Sequence, residues 1–282
     1  MKCFYHTDMD GKCAGAIVKK EMKNQENDGT GFKYIPINYK DDFPFENIIP
    51  NEQIFIVDFS LQKEGEFDKL LSITKNVIWI DHHKTAIEKH PNMANLKGIR
   101  DTSMSGCELT WKYFYGEKFM PKIIEMLGHY DVWNFSKYGE ELNKLQAGIR
   151  LEETNPTSYN WQRWFEGGID ELANILNKGI IALQYRNNYY KSLIKGWSFS
   201  AMFEGYKIIA CNAGSVSSQL FDSIKEDYDL MMPFVFDGKQ FTVSIYTKKD
   251  IDCSELAKKY GGGGHKQASG FQCKELPFIK QK

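Results

Sequence analysis

The feature that most constrains this fold is a set of short apolar runs, each of which ends in ionisable residues. Three such runs lie in the first third of the chain, at residues 3–5, 54–57 and 77–80. Each is apolar throughout and short enough for a buried strand, and helix-like stretches of ten or more residues alternate with the runs. This alternation predicts βαβ units and therefore an α/β fold with a parallel sheet.

The residues that follow these runs are of the types that bind metal ions. His6 and Asp8 follow the first run, Asp58 follows the second, and Asp81, His82 and His83 follow the third. In a parallel sheet the carboxyl ends of the strands open onto one crevice, so we expect these side chains to converge. An extended backbone would also point His6, Asp8 and Asp10 to the same side, because side chains alternate with a period of two.

A cluster of this kind requires cations. Several carboxylates at about 4–6 Å from one another cannot all stay ionised without them. Oxygen ligands suit magnesium, calcium and manganese, and added imidazoles favour manganese, with cobalt, iron and zinc as competitors. We expect two Mn²⁺ ions, with Mg²⁺ or Co²⁺ as substitutes. Taken alone, the aspartate-rich segment around Asp8 would instead indicate a turn or a helix cap.

A second motif lies near the end of the chain, where Gly261, Gly262, Gly263 and Gly264 precede His265. Consecutive glycines are conformationally expensive, but they let the backbone approach a ligand closely and let its amides surround an anion. The alternative is a flexible linker. The small residues that continue to Gly270 favour a shaped loop.

The remaining patterns predict three regions. Residues 1–135 form the metal-binding domain, residues 136–197 a helical connector with a long helix near 169–194, and residues 198–282 a smaller α/β domain. Strands are predicted at 207–211, 231–236 and 241–246, with a helix near 217–226. Because proline cannot donate to a β ladder, Pro233 predicts an edge position for its strand.

Composition limits the partners. The 36 basic and 37 acidic residues give a net charge of −1, so bulk electrostatics do not support a stable complex with long nucleic acid. Six scattered cysteines without a C-x-x-C pair indicate reduced thiols in a cytoplasmic protein. No apolar run approaches the ~20 residues of a membrane span, and no signal peptide is indicated.

Five motifs occur in the order found in the DHH phosphoesterase family with the first type of DHH-associated C-terminal domain. They are His6-x-Asp8-x-Asp10-Gly11, the isolated Asp58, Asp81-His82-His83, Asp131, and Gly261 to His265. The sequence resembles this family over nearly its whole length. Many members space the first motif as H-x-x-x-D-x-D, whereas this chain has H-x-D-x-D, a compact form that also resembles some oligonucleotide-cleaving members.

The resemblance implies a ligand set. Asp58 would bridge two manganese ions. The other ligands would divide into His6 and Asp8 on one ion and Asp10, His82 and Asp131 on the second.

The resemblance also implies roles outside the ligand set. Asp81 would orient His82, and His83 would face the scissile phosphate. Gly261, Gly262, Gly263 and Gly264, with His265, would hold the terminal phosphate or nucleotide of the substrate in a cleft between the two domains.

By resemblance, the expected activity is the hydrolysis of short oligonucleotides (nanoRNA) to mononucleotides by in-line attack at phosphorus. Alternatives with the same site are a cyclic mono- or dinucleotide phosphodiesterase and a bisphosphorylated-nucleoside phosphatase. A nucleotide-binding sensor without turnover is the non-enzymatic alternative. The glycine–histidine run argues against a family II pyrophosphatase, and the charge balance argues against a processive exonuclease. The oligomeric state is left open, a homodimer included.

Overall fold

The computed structural model describes residues 1–23 and 31–278 of the chain. Its contacts divide the chain into two compact units, Met1–Leu183 (unit 1) and Gln184–Lys282 (unit 2). Among the residues described, no helix has both the length and the apolar character that crossing a bilayer requires. All six cysteines are free thiols, and five of them are buried.

Unit 1 contains a four-stranded parallel sheet. Its strands are β1 (Lys2–His6), β2 (Lys33–Ile37), β3 (Ile54–Val57) and β4 (Val77–Ile80). They lie in the order β2-β1-β3-β4, and every neighbouring pair is parallel. The predicted α/β fold with a parallel sheet is therefore confirmed. The apolar-run pattern did not indicate β2, because its alternating exposure and Pro36 leave it without a continuous apolar run.

Both faces of this sheet are buried, as the continuous apolar runs require. On β1, Cys3 and Tyr5 belong to one core cluster and Phe4, between them, belongs to another. The helices that cover the faces or follow the sheet are α1 (Met9–Met22), α2 (Glu66–Ile73), α3 (Lys84–Lys89), α4 (Gly106–Tyr115), α5 (Lys122–Asp131), α6 (Glu141–Ile149), α7 (Tyr159–Glu166) and α8 (Gly168–Trp197). Because both faces are covered, polar chemistry is left to the strand ends.

Helix α8 is the long helix that the sequence predicted near 169–194. It has 30 residues, and the division between the two units falls within it, after Leu183. Its first part packs on unit 1 through Leu172 and Ile175. Its last part packs within unit 2, where Leu193 and Ile194 contact the cluster around Cys211.

Unit 2 is built on a six-stranded mixed sheet in the order β5-β6-β7-β8-β10-β9. The elements are β5 (Ser198–Phe203), β6 (Tyr206–Asn212), β7 (Leu230–Phe236), β8 (Phe241–Tyr246), α9 (Cys253–Lys258), β9 (Gly263–His265) and β10 (Ala268–Cys273). Strands β6 and β7 are parallel, and the other neighbours are antiparallel. The three strands predicted in this region correspond to β6, β7 and β8.

The edge position predicted from Pro233 is wrong, because β7 lies between β6 and β8. The β7–β8 pairing joins Met231 to Tyr246 and resumes at Phe234 with Val243, so no pair forms at Pro233 itself. The sheet thus accommodates a residue without an N–H by leaving a gap in one ladder.

The helix predicted at residues 217–226 is also wrong. That segment forms only a 3₁₀ turn at Ser218–Phe221. From this turn and the chain after it, Leu220, Phe221 and Ile224 join the same apolar cluster as Leu193 of α8.

Candidate metal centre

The predicted ligands of unit 1 lie at the carboxyl ends of adjacent strands. His6 is the last residue of β1, and Asp58 follows β3. Asp81 and His82 follow β4. Since β1, β3 and β4 are neighbours in a parallel sheet, their ends meet at one edge.

Asp8 is held where β1 turns into α1. It is the N-cap residue of α1, and its Oδ1 accepts a hydrogen bond from the backbone N–H of Gly11 at 2.9 Å. Its Oδ2 lies 2.7 Å from Nδ1 of His6. The helix-cap interpretation of this segment is thus correct as far as it goes, because one oxygen caps the helix while the other faces the cluster.

Asp58 lies at the centre of the cluster and is fully buried. Its backbone has φ 53°, a left-handed conformation that non-glycine residues rarely adopt and that recurs at functional sites. Neither carboxylate oxygen forms a hydrogen bond with any residue that the structure describes. Burial, followed by the charges of Asp10 and Asp8, raises the pKa of this carboxyl well above its usual value.

Imidazole nitrogens lie close to the two oxygens of Asp58. Nε2 of His82 is 3.2 Å from Oδ1, and Nδ1 of His6 is 3.8 Å from Oδ2. An isolated buried carboxylate would cost several kcal/mol or would have to be neutral, unless a cation compensates it. The donor set of carboxylate oxygens and imidazoles fits divalent ions of the manganese type.

Asp10 is fixed by the start of α4. Its Oδ2 accepts from the backbone N–H of Gly106 at 2.7 Å, and its Oδ1 accepts from that of Cys107 at 3.0 Å.

Asp131 and His82 complete this side of the cluster. Asp131 is the last residue of α5, and its Oδ2 lies 3.5 Å from Nε2 of His82. Burial, followed by the charges of Asp10 and Asp8, raises the pKa of Asp131 to about 8. Burial lowers the pKa of His82, which keeps the ring in the neutral form that binds metals.

Potential ligand atoms form three groups, and within each group all of the atoms lie within 4.8 Å of one another. One group is His6, Asp8 and Asp58, and another is Asp10, His82 and Asp131; the third is Asp58, His82 and His83. The first two coincide with the two ligand sets that the sequence resemblance implied, and Asp58 borders both. His6 joins the first group despite its shortened spacing from Asp8.

Asp81 makes contacts with both histidines that follow it. Its Oδ1 accepts from Nδ1 of His83 at 2.7 Å and from the backbone N–H of His82 at 2.9 Å. Burial alone would lower the pKa of His83, but the hydrogen bond and charge of Asp81 outweigh burial and raise it. Asp81 therefore positions the ring of His83 and the main chain of His82.

Gly106 was not identified from the sequence as part of the site. A Cβ at this position would lie 2.5 Å from Cβ and 2.7 Å from Oδ1 of Asp58, so only glycine fits against that carboxylate. The signal that could have found it is the adjoining capping box, in which Ser105 and Glu108 satisfy each other's backbone N–H at the start of α4.

In unit 2, the glycine run forms the turn after α9 and strand β9. Gly261 and Gly264 have φ values of 74° and 140°, and β9 pairs with β10 in an antiparallel hairpin. A Cβ on Gly264 would lie 2.6 Å from Cα of Ser269, so this glycine is required by packing within the hairpin itself. His265 is exposed. The run is a shaped element, as its small flanking residues predicted.

Comparison with protein families matches residues 3–129 to the DHH family, N-terminal domain. An uncharacterized protein of Acanthamoeba polyphaga mimivirus is 25% identical over 266 residues, which cover 88% of this chain and 61% of that protein. The chain therefore spans less than two thirds of that relative's length. Oligoribonuclease NrnB of Bacillus subtilis is 23% identical over 295 residues, which cover 95% of this chain and 71% of the relative.

Two solved structures share the fold. A pGpG-specific phosphodiesterase, PggH of Vibrio cholerae, superposes with a TM-score of 0.56 at 15% identity over 97% of this chain and 93% of that one. The DHH domain of a member of the s1p family of ribosomal proteins gives a TM-score of 0.60 at 14% identity over 96% of this chain and 82% of that one.

Proposed function

Because residues 3–129 are a DHH family N-terminal domain, we propose that this chain is a metal-dependent phosphodiesterase that hydrolyses short oligonucleotides to mononucleotides. The relative from Bacillus subtilis bears the name oligoribonuclease, and it aligns with 95% of this chain. A protein of Mycoplasma genitalium that is 22% identical over 95% of this chain is named bifunctional oligoribonuclease and PAP phosphatase.

The observation that carries the proposal is the state of Asp58. It is fully buried, it lacks a hydrogen-bond partner among the described residues, and it borders two groups of ligand atoms. Two divalent cations, Mn²⁺ in preference to Mg²⁺ or Co²⁺, would satisfy this carboxylate from both sides. His6 and Asp8 would hold one ion, Asp10, His82 and Asp131 would hold the other, and Asp58 would serve both.

Bound cations would supply Lewis acidity and neutralise charge that develops on a phosphoryl group. The chain's own residues hold this arrangement in place. The start of α4 fixes Asp10 through two backbone N–H groups, and the Gly11 amide fixes Asp8. Asp81 holds His83, which we propose faces the scissile phosphate. In unit 2, His265 and the glycine run from Gly261 to Gly264 would bind the terminal phosphate or the nucleotide.

Substrate choice separates this proposal from its alternatives. A cyclic mono- or dinucleotide phosphodiesterase, or a phosphatase for a bisphosphorylated nucleoside, would use the same ligands. The second alternative has support in the name of the Mycoplasma genitalium relative, a bifunctional oligoribonuclease and PAP phosphatase. Pyrophosphate is the substrate that would indicate a different reaction class.

The test is product analysis by chromatography after incubation with manganese. Diribonucleotides to pentaribonucleotides, cyclic mono- and dinucleotides, a 3′,5′-bisphosphorylated adenosine and pyrophosphate are supplied separately. We expect short RNA to yield mononucleotides, and Asp58→Ala to reduce turnover by about a thousandfold or more because it removes the shared ligand. Asp68→Ala, at an exposed aspartate of α2, is the matched control and should retain turnover.

Other outcomes have distinct meanings. Preferential opening of a cyclic nucleotide would keep the metal centre and replace the substrate. Manganese binding without turnover of any substrate would contradict the enzyme and favour a nucleotide sensor. Turnover that survives Asp58→Ala would contradict the proposed centre.

A further inference from the structure

The imidazole of His83 is held at both of its ring nitrogens. Asp81 Oδ1 lies 2.7 Å from Nδ1, and the hydroxyl of Tyr39 lies 3.0 Å from Nε2. A carboxylate can only accept a hydrogen bond, so Nδ1 carries a hydrogen. When the ring is neutral, the Tyr39 hydroxyl must then donate to Nε2. The Tyr39 hydroxyl therefore hydrogen-bonds to Nε2, the ring nitrogen of His83 that does not contact Asp81.

The backbone around Tyr39 forms a hydrogen-bonded turn. Tyr39 lies two residues after β2, and Asn38 and Asp41 close the turn through a backbone bond of 2.9 Å and a side-chain bond of 2.8 Å. Asn38 Nδ2 also donates to Oγ1 of Thr7 at 3.1 Å. Thr7 lies between His6 and Asp8, so the turn that presents Tyr39 is tied directly to the ligand segment after β1.

The ring of Tyr39 is held by packing as well. Its centroid lies 5.5 Å from that of Phe59, in a stacked arrangement, and 4.9 Å from the ring of His6. Phe59 is buried and follows Asp58 directly. Tyr39 is 37% exposed, and these ring contacts together with the hydrogen bond to His83 restrict the orientation of its phenol group.

Tyr39 and His83 also line a pocket at the edge of the cluster. This pocket has a volume of about 390 Å³, and its other lining residues include Leu61, Gln62 and Lys89. A space that a small ligand can enter therefore lies beside the Tyr39–His83 pair.

We propose that Tyr39 is a positioning residue for His83 in the hydrolytic reaction, an inference that rests on the proposed function of the same site. Its hydroxyl fixes the imidazole from the Nε2 side, opposite Asp81. Contacts at both ring nitrogens restrict rotation of the imidazole, so the orientation of His83 at the edge of the cluster is fixed.

The first test is steady-state kinetics of Tyr39→Phe on a diribonucleotide with manganese. This variant keeps the ring that packs on Phe59 and removes only the hydroxyl. We expect kcat to fall about tenfold, KM to stay within about twofold, and the manganese-induced rise in unfolding temperature to be unchanged. Tyr159→Phe, at an exposed tyrosine of α7, is the matched control and should behave as the wild type.

A double-mutant cycle separates positioning from a general structural role. If Tyr39 acts through His83, adding Tyr39→Phe to His83→Ala should cause no further loss of kcat. A further tenfold loss in that background would overturn the proposal. So would a Tyr39→Phe variant with wild-type kcat, or one in which only KM or manganese affinity changes.

A second measurement does not depend on turnover. In protein labelled with ¹⁵N-histidine and loaded with magnesium, which is diamagnetic, the His83 nitrogens are assigned by their loss in His83→Ala. We expect Tyr39→Phe to shift the Nε2 resonance of His83. The Nε2 resonance of His90, which lies 2.8 Å from the backbone oxygen of Leu61, serves as the internal reference and should not move. An unshifted His83 resonance would overturn the proposal, whereas a shift in a protein that hydrolyses none of the nucleotides would sustain the contact and contradict only the proposed function.

Discussion

The strand ends of unit 1 and the glycine hairpin of unit 2 are built in opposite ways. At the strand ends, charged side chains are buried: Asp58 and Asp81 are fully inaccessible and Asp10 is 2% exposed. In the hairpin, His265 and the residues beside it are exposed, and the glycines offer only backbone atoms to a ligand. A buried carboxyl must be neutral, hydrogen-bonded or compensated by a cation, and Asp58 accepts no hydrogen bond from a described residue, so burial itself favours a cation site in unit 1. An exposed hairpin makes no such demand, so its role must be tested with substrate.

Individual glycines show the same contrast. Gly106 has no room for a Cβ because Asp58 occupies the space, whereas Gly263 has no neighbouring atom within 4 Å of the same position. The absence of a side chain at Gly106 permits a contact inside the protein. At Gly263 it leaves the backbone accessible to a ligand.

Among substitutions outside the proposed ligand set, the largest effect should come from Gly106→Ala. The added methyl group would lie 2.5 Å from Cβ of Asp58, so either the carboxylate or the start of α4 must move. We expect hydrolysis to fall about a hundredfold or more and manganese binding, measured by calorimetry, to weaken. Circular dichroism should show that the helices remain.

Gly196→Ala is the control for that substitution. Gly196 lies near the end of α8 with open space around it, so alanine there should leave activity unchanged and should not lower the free energy of unfolding. If Gly106→Ala hydrolysed RNA as well as this control does, the close contact with Asp58 would have no functional meaning.

A smaller effect is expected from His265→Ala in unit 2. If the hairpin binds substrate without binding metal, KM should rise about tenfold while the manganese-induced thermal shift stays the same. Gln267→Ala, at an exposed position in the same hairpin, is the control. If His265→Ala abolished the manganese-induced thermal shift, the hairpin would contribute to metal binding. The proposed separation of metal binding in unit 1 from substrate binding in unit 2 would then be wrong.

The smallest effect is a pH dependence of metal stabilisation. Burial and neighbouring carboxylates raise the pKa of Asp58, and they raise that of Asp131 to about 8. Groups with raised carboxyl pKa values contribute stability below about pH 4, the usual value in an unfolded chain, and lose that contribution as pH rises through the folded value. The metal-free protein should therefore lose stability through this window.

Manganese binds the deprotonated carboxylates, so it should offset that loss. We expect the manganese-induced rise in unfolding temperature, measured by scanning fluorimetry, to be a few degrees larger at pH 8 than at pH 6. Equal shifts at the two pH values would show that the buried carboxylates are already ionised without metal.

The sequence predicted that His6, Asp58 and the Asp81-His82 pair converge, because they follow apolar runs and the strand ends of a parallel sheet meet at one edge. Asp10 and Asp131 lie in helices, and Asp131 was assigned to the site only through the family resemblance. The sequence did not identify Gly106 or Tyr39. The space beside Asp58 is defined by a helix 48 residues further along the chain, and the contact from Tyr39 to His83 joins residues 44 positions apart. The contact of Tyr39 leaves no local pattern. Near Gly106, the capping box of Ser105 and Glu108 is a local signal of the helix start but not of the contact with Asp58.

The misses in the fold have a similar origin. Strand β2 is only partly buried, so its side chains carry no continuous apolar signal. Pro233 obeys the rule that proline cannot donate to a ladder, but a gap in the β7–β8 pairing satisfies that rule at the centre of the sheet. Local propensity shows which hydrogen bonds a residue cannot form. The pairing of strands in the folded protein decides where in the sheet that residue can lie.

The register of the parallel sheet in unit 1 fixes the spacing of the proposed ligands that follow its strands. Tyr5 pairs with Val57, and Val57 pairs with Ile80, so His6, Asp58 and Asp81 each stand one step beyond a paired residue. The spacing of their backbones is therefore set by the interstrand distance of about 4.8 Å and not by the ion. Inserting one residue into β1, β3 or β4 would advance a ligand by about 3.3 Å and turn it to the opposite face. The lengths of these three strands therefore cannot change without displacing a proposed ligand.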